Sequence, residues 1–292
     1  MEGKWRWSLV TAIAPIAWGT TYFVTHQWLP PEHPLYGAVI RALPAGLILL
    51  LVRRRLPHGS WWWKSIVLGT LNMGAFFALV YLAAQLLPTS VASTIMATSP
   101  VVMMLLAWML VAERPRAMPL IGAGVGIAGV CVMLFTGVGR IDPLGVLASV
   151  AAMTMSSIGY VLAKRWSDEV DVLSSTSWQL IAGGLLLIPV AILVEGPPPV
   201  LDGTQVLAFA YVSVVATAVA FVAWFAGLKH LRASTVGLVG LLNPVTGVLL
   251  GTLVAGESFT WQQAAGVALV FAGILLGQRV GRRAGKASAP SS

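Results

Sequence analysis

Charged residues are scarce in this sequence: they make up 10% of its 292 residues, whereas 58% are hydrophobic. This balance excludes an ordinary soluble globular domain. In lipid, the backbone N–H and C=O groups of a segment must form hydrogen bonds within that segment, which favours helices. The sequence lacks the alternation of apolar and polar residues that would suggest a β-barrel. Ten mostly apolar segments are each long enough to cross about 30 Å of hydrocarbon as a helix. We therefore predict an all-α polytopic membrane protein with ten transmembrane helices, near 7–27, 34–52, 65–86, 89–111, 118–136, 144–163, 173–194, 204–228, 233–255 and 260–279.

Residues that build catalytic and metal sites are also few. The four histidines lie in separate regions, and neither an HExxH nor a CxxC motif occurs. The single cysteine, Cys131, has no ligand cluster around it. The glycine-rich stretch GAGVGIAG lies in a predicted span and lacks the strand that a dinucleotide-binding motif needs. We predict no catalytic residue, no metal and no cofactor, and we expect the protein not to be an enzyme.

Positive charge is concentrated in alternate connections. With ten spans, 16 of the 18 Lys and Arg residues lie on one side, Arg140 lies on the other and Arg41 lies inside a span. The positive-inside rule then predicts that both termini are cytoplasmic. The net charge of +8 reflects this topology and lipid headgroups, so we predict the bilayer as a partner and no nucleic acid.

The two halves of the chain resemble each other. An offset of 138 residues places 11–28 over 149–166, and an offset of 144 places 77–129 over 221–273. We predict a first five-helix repeat at 1–139, a second at 140–280 and a disordered basic cytoplasmic tail at 281–292. An odd number of helices per repeat inverts the second repeat in the membrane. Such inverted repeats are typical of carriers that alternate between inward- and outward-open states.

Each half carries a proline early in a predicted span, 13 positions before a glutamate: Pro100 before Glu113, and Pro244 before Glu257. A proline inside a helix frees the carbonyl four residues earlier, here that of Met96 or Gly240. We predict that Pro100 and Pro244 act as hinges at the level of a binding cavity. The alternative is that they only kink their helices for packing.

These features together resemble the drug/metabolite transporter superfamily, in its ten-helix EamA type. The stretches PIAWGTTYFV, TSPV, NPVTG, VAERP and VAGES carry the resemblance, which extends over 7–279. It implies two inverted five-helix repeats, a central cavity and, for the YddG-like members that this chain resembles most, export of aromatic amino acids across the bacterial inner membrane.

Candidate substrate-binding residues are the deep aromatic rings and the polar residues near the prolines. Arg41 is the only charged residue well inside a span. It either binds a substrate carboxylate or extends outward to the surface. The aromatic rings line a cavity or pack against lipid and core, and both interpretations remain open. The candidates are Trp18, Tyr22, Arg41, Tyr81, Thr98, Ser99, Ser156, Tyr160, Gln179, Trp224, Phe225 and Asn243.

The charges that are missing restrict the substrate. The ten acidic residues fall in tails, connections or helix ends, which argues against a permanently cationic substrate and against proton coupling. A phosphate carrier would need a deep cluster of Lys and Arg. We therefore expect a small-molecule partner, an amino acid with an aromatic or other bulky neutral side chain. The alternatives are another small neutral metabolite or, in a different class, a lipid-handling role.

Small residues spaced by four predict close helix packing. They occur as Gly122 and Gly126 in the fifth span and as Gly273 and Gly277 in the tenth. Packing within one chain and dimerisation both fit the pattern, and we favour a monomer.

Overall fold

The computed structural model describes residues 2–87, 89–134, 142–254 and 260–278. In these residues the regular structure is helical, and ten helical spans are long and apolar enough to cross a membrane. The predicted fold class is confirmed. The spans are α1 (Glu2–Trp28), α2 (Pro34–Arg53), α3 (61–86), α4 (89–111), α5 (Ala117–Leu134), α6 (Pro143–Arg165), α7 (Val172–Glu195), α8 (Gly203–His230), α9 (Ala233–Leu253) and α10 (Trp261–Gln278).

Aspartate side chains fix the starts of several spans in the second half. An Oδ1 atom of Asp142 accepts the N–H of Leu144 at 2.8 Å, at the start of α6. Asp202 accepts the N–H of Gln205 at 2.8 Å, and the Gln205 side chain accepts the N–H of Asp202 at 3.0 Å. These bonds satisfy backbone donors that a helix leaves open in its first turn.

The start of α3 differs from the prediction. The sequence predicts it near residue 65, with Lys64 in the preceding connection, but the helix begins at Trp61. Lys64 is tolerated there because its ammonium group pairs with the Glu169 carboxylate and lies 5.2 Å from the centre of the Trp166 ring. Pairing and cation–π contact offset the cost of burying the charge.

Two spans contain a π-helical segment, and the segments occupy equivalent positions in the two repeats. In α3 the segment is Thr70–Gly74, between Trp61–Gly69 and Ala75–Leu86. In α8 it is Val214–Val219. The offset of 144 that relates these parts of the chain places Thr70 on Val214. Such segments bulge the helix and often mark functional positions.

The two spans with early prolines are broken next to them. Thr98 separates Thr89–Ala97 from Ser99–Val111 in α4. Leu241 separates Ala233–Gly240 from Leu242–Leu253 in α9. The breaks lie two residues before Pro100 and three before Pro244, because proline cannot donate the hydrogen bond that would continue the helix. The predicted interruption of both helices is confirmed.

Glycines bring α5 and α10 into direct backbone contact. A Cβ atom placed on Gly129 would stand 2.7 Å from the Gly266 carbonyl oxygen, and one on Gly273 would stand 2.7 Å from the Gly126 nitrogen. These close approaches require the missing side chains. The predicted close packing therefore occurs within one chain.

The connections divide between two ends of the bundle. We call the end at which α1 begins, with connections 54–60, 112–116, 166–171 and 231–232, the basic side. We call the other end, with connections 29–33 and 196–202, the opposite side. Between them, α1 packs against α8 and α9, and α2 packs against α7. Helices from the two halves are thus in direct contact along the middle of the bundle.

Candidate substrate site between the two repeats

Five aromatic rings from α1, α6 and α8 pack together in the middle of the bundle. The Trp18 ring centre lies 5.2 Å from that of Trp224 and 5.1 Å from that of Phe221. Tyr160 lies 5.4 Å from Trp224 and 6.1 Å from Phe225. The structure therefore brings together four of the predicted site residues and adds Phe221, which the sequence analysis missed.

Three polar atoms at this cluster are buried without a hydrogen-bond partner in the protein. They are the indole Nε1 atoms of Trp18 and Trp224 and the amide Oδ1 of Asn243. Leaving one such group unpaired costs about 1–3 kcal/mol. Native structures pair most of their buried polar atoms, so three unpaired ones at one place need an explanation.

Glycines hold the aromatic cluster close to the break in α9. A Cβ atom on Gly240 would stand 3.2 Å from Cη2 of Trp224, and one on Gly19 would stand 2.7 Å from the Asn243 carbonyl oxygen. Gly19 follows Trp18 in α1, and Asn243 follows Gly240 by three residues. The two indoles and the Asn243 amide therefore belong to adjoining turns of three neighbouring helices.

Arg41 turns into the bundle and contacts the π-helical segment of α8. Its Nε donates to the Thr217 hydroxyl at 3.0 Å, and one terminal nitrogen donates to the Ala216 carbonyl at 3.3 Å. Its guanidinium carbon lies 5.1 Å from the Phe77 ring centre. Thr217 is 14 residues from the start of α8, about 21 Å along the helix axis. This orientation contradicts the interpretation in which the side chain extends outward.

Gln179, the repeat counterpart of Arg41, makes the equivalent contact in the other half. Its Oε1 accepts from Nδ2 of Asn72 at 2.9 Å, and Asn72 belongs to the π-helical segment of α3. Its Nε2 donates to the Ser175 carbonyl at 3.2 Å. Asn72 and Gln179 are both at least 99% buried. Each repeat thus places a polar side chain against the π-helical segment of the other repeat.

The other predicted site residues are distributed around this centre. The hydroxyls of Thr98 and Ser156 bond to backbone carbonyls of Ile95 (2.7 Å) and Met153 (3.0 Å). Ser99 begins the second part of α4. Tyr81 packs away from the aromatic cluster, with the hydrophobic residues where α2 and α7 meet on the opposite side. The side chain of Tyr22 lies outside the described residues.

The two predicted hinge prolines differ in their surroundings. Pro100 is buried, and a Cβ atom on Gly237 would stand 3.0 Å from its Cα. The broken helices α4 and α9 therefore touch at this point. Pro244 is partly buried next to Asn243. The break in α9 thus adjoins the candidate site, and the break in α4 adjoins α9; the hinge role of both prolines remains a prediction.

Not every deep tryptophan belongs to the site. Trp178 lies near the basic side, where it packs on Trp61 at 5.6 Å between ring centres and donates to the Arg55 carbonyl at 2.8 Å. Trp108 is 53% exposed on the outside of the bundle. Neither Trp108 nor Trp178 is among the site residues predicted from the sequence.

A partly buried ion pair joins the two halves at the basic side. The Lys164 ammonium lies 3.2 Å from Oε1 of Glu113, and it donates to the carbonyls of Leu228 (2.7 Å) and Leu231 (2.6 Å). These three partners match the three donors of a lysine. The other carboxylate oxygen of Glu113 accepts the N–H of Ala233 at 3.0 Å, at the start of α9. Glu113 of the first half thus joins α6, α8 and α9 of the second.

A second ionic cluster at the basic side centres on Asp171, which caps α7. Burial alone would raise the pKa of this carboxyl, but hydrogen bonds from the backbone and hydroxyl of Ser174 and from Arg53 outweigh it. The Arg53 Nε lies 3.1 Å from Oδ1 of Asp171. The pKa of Asp171 is therefore held below its usual range.

An apolar cavity of about 330 Å³ lies near the opposite side, between the end of α1 and the start of α8. Closer to the middle of the bundle, the Thr20 hydroxyl and the Tyr211 phenol are 2.7 Å apart. Its lining residues are Val24, Trp28, Thr204, Leu207, Ala208 and Tyr211. The cavity adjoins α1, the helix that also carries Trp18.

Comparison with known proteins shows which family and which solved structure this chain resembles. The model of the EamA-like transporter family matches the chain twice, over 5–135 and 143–277. A solved crystal structure with 22% sequence identity covers 96% of this chain and 98% of its own, with a TM-score of 0.81, and shares the fold.

Several curated proteins are similar over nearly their whole length. Protein PecM of Dickeya dadantii is 35% identical over 269 residues, covering 91% of this chain and 90% of that protein. A probable amino-acid metabolite efflux pump of Salmonella typhimurium is 27% identical, covering 92% and 94%. The uncharacterized inner membrane transporter YedA of Escherichia coli is 27% identical, covering 89% and 87%. The ten spans, their two matched halves and these relatives together show that the chain belongs to the EamA-like transporter family.

Proposed function

We propose that this transporter exports amino acids with aromatic or other bulky neutral side chains, by alternating access through a cavity between its two repeats. The observation that carries the proposal is the ring cluster of Trp18, Tyr160 and Trp224 at the meeting of the halves, with buried polar atoms beside it. Aromatic side chains stack on such rings, and polar atoms bind the charged ends.

The charges inside the bundle support the same class of substrate. In the described residues, the carboxylates lie in connections or near helix ends, away from Trp18 and Trp224. A permanent cation would lack a counter-ion there. Arg41 lies well inside α2, and its guanidinium contacts the π-helical segment of α8. A single guanidinium that is bonded within the protein is too little for a multiply charged phosphate.

The Salmonella typhimurium relative, a probable amino-acid metabolite efflux pump, supports the substrate class and the direction of transport. The inner membrane transporter YedA supports a bacterial inner membrane. The excess of Lys and Arg on the basic side supports an orientation with that side, and both termini, in the cytoplasm. We propose this location and orientation for the chain.

Counterflow in proteoliposomes tests the proposal. Vesicles loaded with unlabelled phenylalanine should accumulate labelled phenylalanine from outside, and Tyr160→Ala should reduce the rate because it removes one wall of the site. Trp108→Phe changes an exposed ring outside the cluster and should leave the rate unchanged. Vesicles in which no amino acid shows counterflow would refute the proposed function.

A further inference from the structure

We infer that Trp18, Trp224 and Asn243 recognise the α-amino and α-carboxyl groups of the substrate. This inference rests on the proposed function and adds to it by assigning the charged ends of the substrate to particular atoms. It starts from three of the buried polar atoms that have no partner in the protein: the indole N–H groups of Trp18 and Trp224 and the amide oxygen of Asn243.

The chemistry of the three atoms fits a zwitterion. An indole Nε1 only donates hydrogen bonds, so it complements the substrate carboxylate. The Asn243 Oδ1 accepts hydrogen bonds, so it complements the ammonium group. Donor and acceptor are neutral, and a neutral set suits a ligand whose own charges cancel. A substrate with only a cation or only an anion would leave one part of the set unpaired.

The surrounding contacts keep these atoms in place. Trp224 is 3% exposed, and its Cη2 end lies against Gly240. Trp18 packs on Trp224 and Phe221 at about 5 Å between ring centres. Asn243 stands directly after the break in α9, where Gly19 allows α1 to approach its carbonyl oxygen. The site is built from both repeats, because α1 belongs to the first and α8 and α9 to the second.

Arg41 and Gln179 do not take this role. Arg41 bonds to Thr217 and Ala216, and Gln179 bonds to Asn72 and Ser175. Both side chains hold π-helical segments that repeat symmetry places in equivalent positions. From the sequence, Arg41 either binds a substrate carboxylate or extends outward; the indole donors supply another partner for the carboxylate.

Three ligands separate the two ends of the substrate: phenylalanine, 3-phenylpropionate without the ammonium group, and phenethylamine without the carboxylate. The measurement is the concentration of each unlabelled compound that halves labelled phenylalanine counterflow. Trp224→Phe removes the N–H and keeps a ring. It should raise the half-inhibitory concentrations of phenylalanine and 3-phenylpropionate by about tenfold, because one hydrogen bond to a charged group is lost. The half-inhibitory concentration of phenethylamine should remain unchanged.

Asn243→Leu replaces the acceptor with an apolar side chain of similar size. It should raise the half-inhibitory concentrations of phenylalanine and phenethylamine but not that of 3-phenylpropionate. Trp18→Phe is the second donor variant, used if Trp224→Phe does not fold, and Trp108→Phe is the matched control. Equal weakening of all three compounds, or none, in folded variants would overturn the inference while phenylalanine transport by the unmodified protein would still support the proposed function. Absence of counterflow in the unmodified protein would instead refute the proposed function.

Discussion

At the scale of single residues, the polar side chains within the spans divide into two groups. Arg41 and Gln179 are bonded within the protein, to Thr217 and Asn72 in the π-helical segments. Trp18, Trp224 and Asn243 keep buried polar atoms unbonded beside the aromatic rings. Bonded groups rigidify a bundle, and unbonded groups at a cluster of rings favour a ligand. We propose that this division separates residues that hold the helices from residues that bind the substrate.

Asp171 supplies a prediction about pH. Its pKa is lowered in the folded protein by Ser174 and Arg53, so its charge contributes stability above the pKa of the unfolded chain, about 4. That contribution is lost as pH falls through the folded pKa. Asp171→Asn should lower the melting temperature at pH 7, and the difference from the unmodified protein should disappear as the medium is acidified below pH 4.

Asparagine retains an oxygen that can cap α7, so this variant tests the charge rather than the cap. Asp168→Asn is the control, because its side chain is 95% exposed and lies 3.9 Å from Lys229. A difference for Asp171→Asn that is the same at pH 7 and in acid would contradict the assigned role of the charge.

Most rings of the aromatic cluster could be predicted from the sequence. Trp18, Tyr160, Trp224 and Phe225 were predicted because they are deep aromatic residues on related helices. Phe221 was missed, although the offset of 144 pairs it with Phe77. The contacts of Arg41 with Thr217, and of Glu113 with Lys164, join residues 176 and 51 positions apart, and no local pattern encodes such a pairing. The repeat offsets place Arg41 over Gln179 and the two π-helical segments over each other, which was the one available signal.

At the scale of helices, the interruptions are concentrated in α3, α4, α8 and α9. The breaks in α4 and α9 could be predicted, because proline lacks the N–H that an α-helix needs. The π-helical segments in α3 and α8 could not, because TLNMG and VVATAV contain neither proline nor a charge. Side chains of α2 and α7 form hydrogen bonds with these segments. Such contacts between distant parts of the chain are visible only in the folded structure.

The proline breaks give an element-scale prediction. We propose that Pro100 and Pro244 are hinges, so alanine at either position should restore the backbone donor, straighten the helix and slow transport at unchanged folded yield. Because the repeats are inverted, the two variants should favour opening on opposite sides. Alkylation of single cysteines near each side measures this. Full transport in both variants, or the same accessibility change in both, would reject the hinge role.

Pro189 is the matched control for these variants. It also lies inside a span, α7, but that helix continues through it without a break. Pro189→Ala should therefore change the accessibility of neither side. A change equal to that of Pro100→Ala would indicate a general effect of removing prolines.

At the scale of the whole molecule, the two halves contact each other at the basic side. Glu113 of the first half binds Lys164 and the N–H of Ala233 of the second. The Trp7 and His230 rings stack with centres 3.7 Å apart. An exporter oriented as proposed must separate these groups to admit substrate from the cytoplasm.

Lys164→Met should therefore favour opening of the basic side. Methionine fills similar space but cannot bind the carboxylate or the carbonyls of Leu228 and Leu231. A shift of about 1.4 kcal/mol would raise the open population about tenfold. The measurement is the alkylation rate of a cysteine at Ala107, which is 1% exposed, in a chain with Cys131→Ser.

Lys229→Met is the control for this prediction. Lys229 bonds to the Ser167 carbonyl at 2.8 Å and lies 3.9 Å from Asp168, both within the second half. Its loss should leave the alkylation rate at position 107 unchanged. Equal rates for the two methionine variants would show that the contact between the halves does not keep the basic side closed.

We propose that the two inverted repeats of this transporter open alternately around a site for amino acids. The most direct test of this proposal measures two distances between the halves by electron paramagnetic resonance, in membranes with and without phenylalanine. Spin labels at Arg116 and Asp168 report on the basic side, and labels at Glu32 and Val200 report on the opposite side. We predict that phenylalanine changes both distance distributions in opposite senses, one pair moving apart as the other approaches. Distances that change in the same sense, or that remain unchanged in protein that transports phenylalanine, would contradict the account.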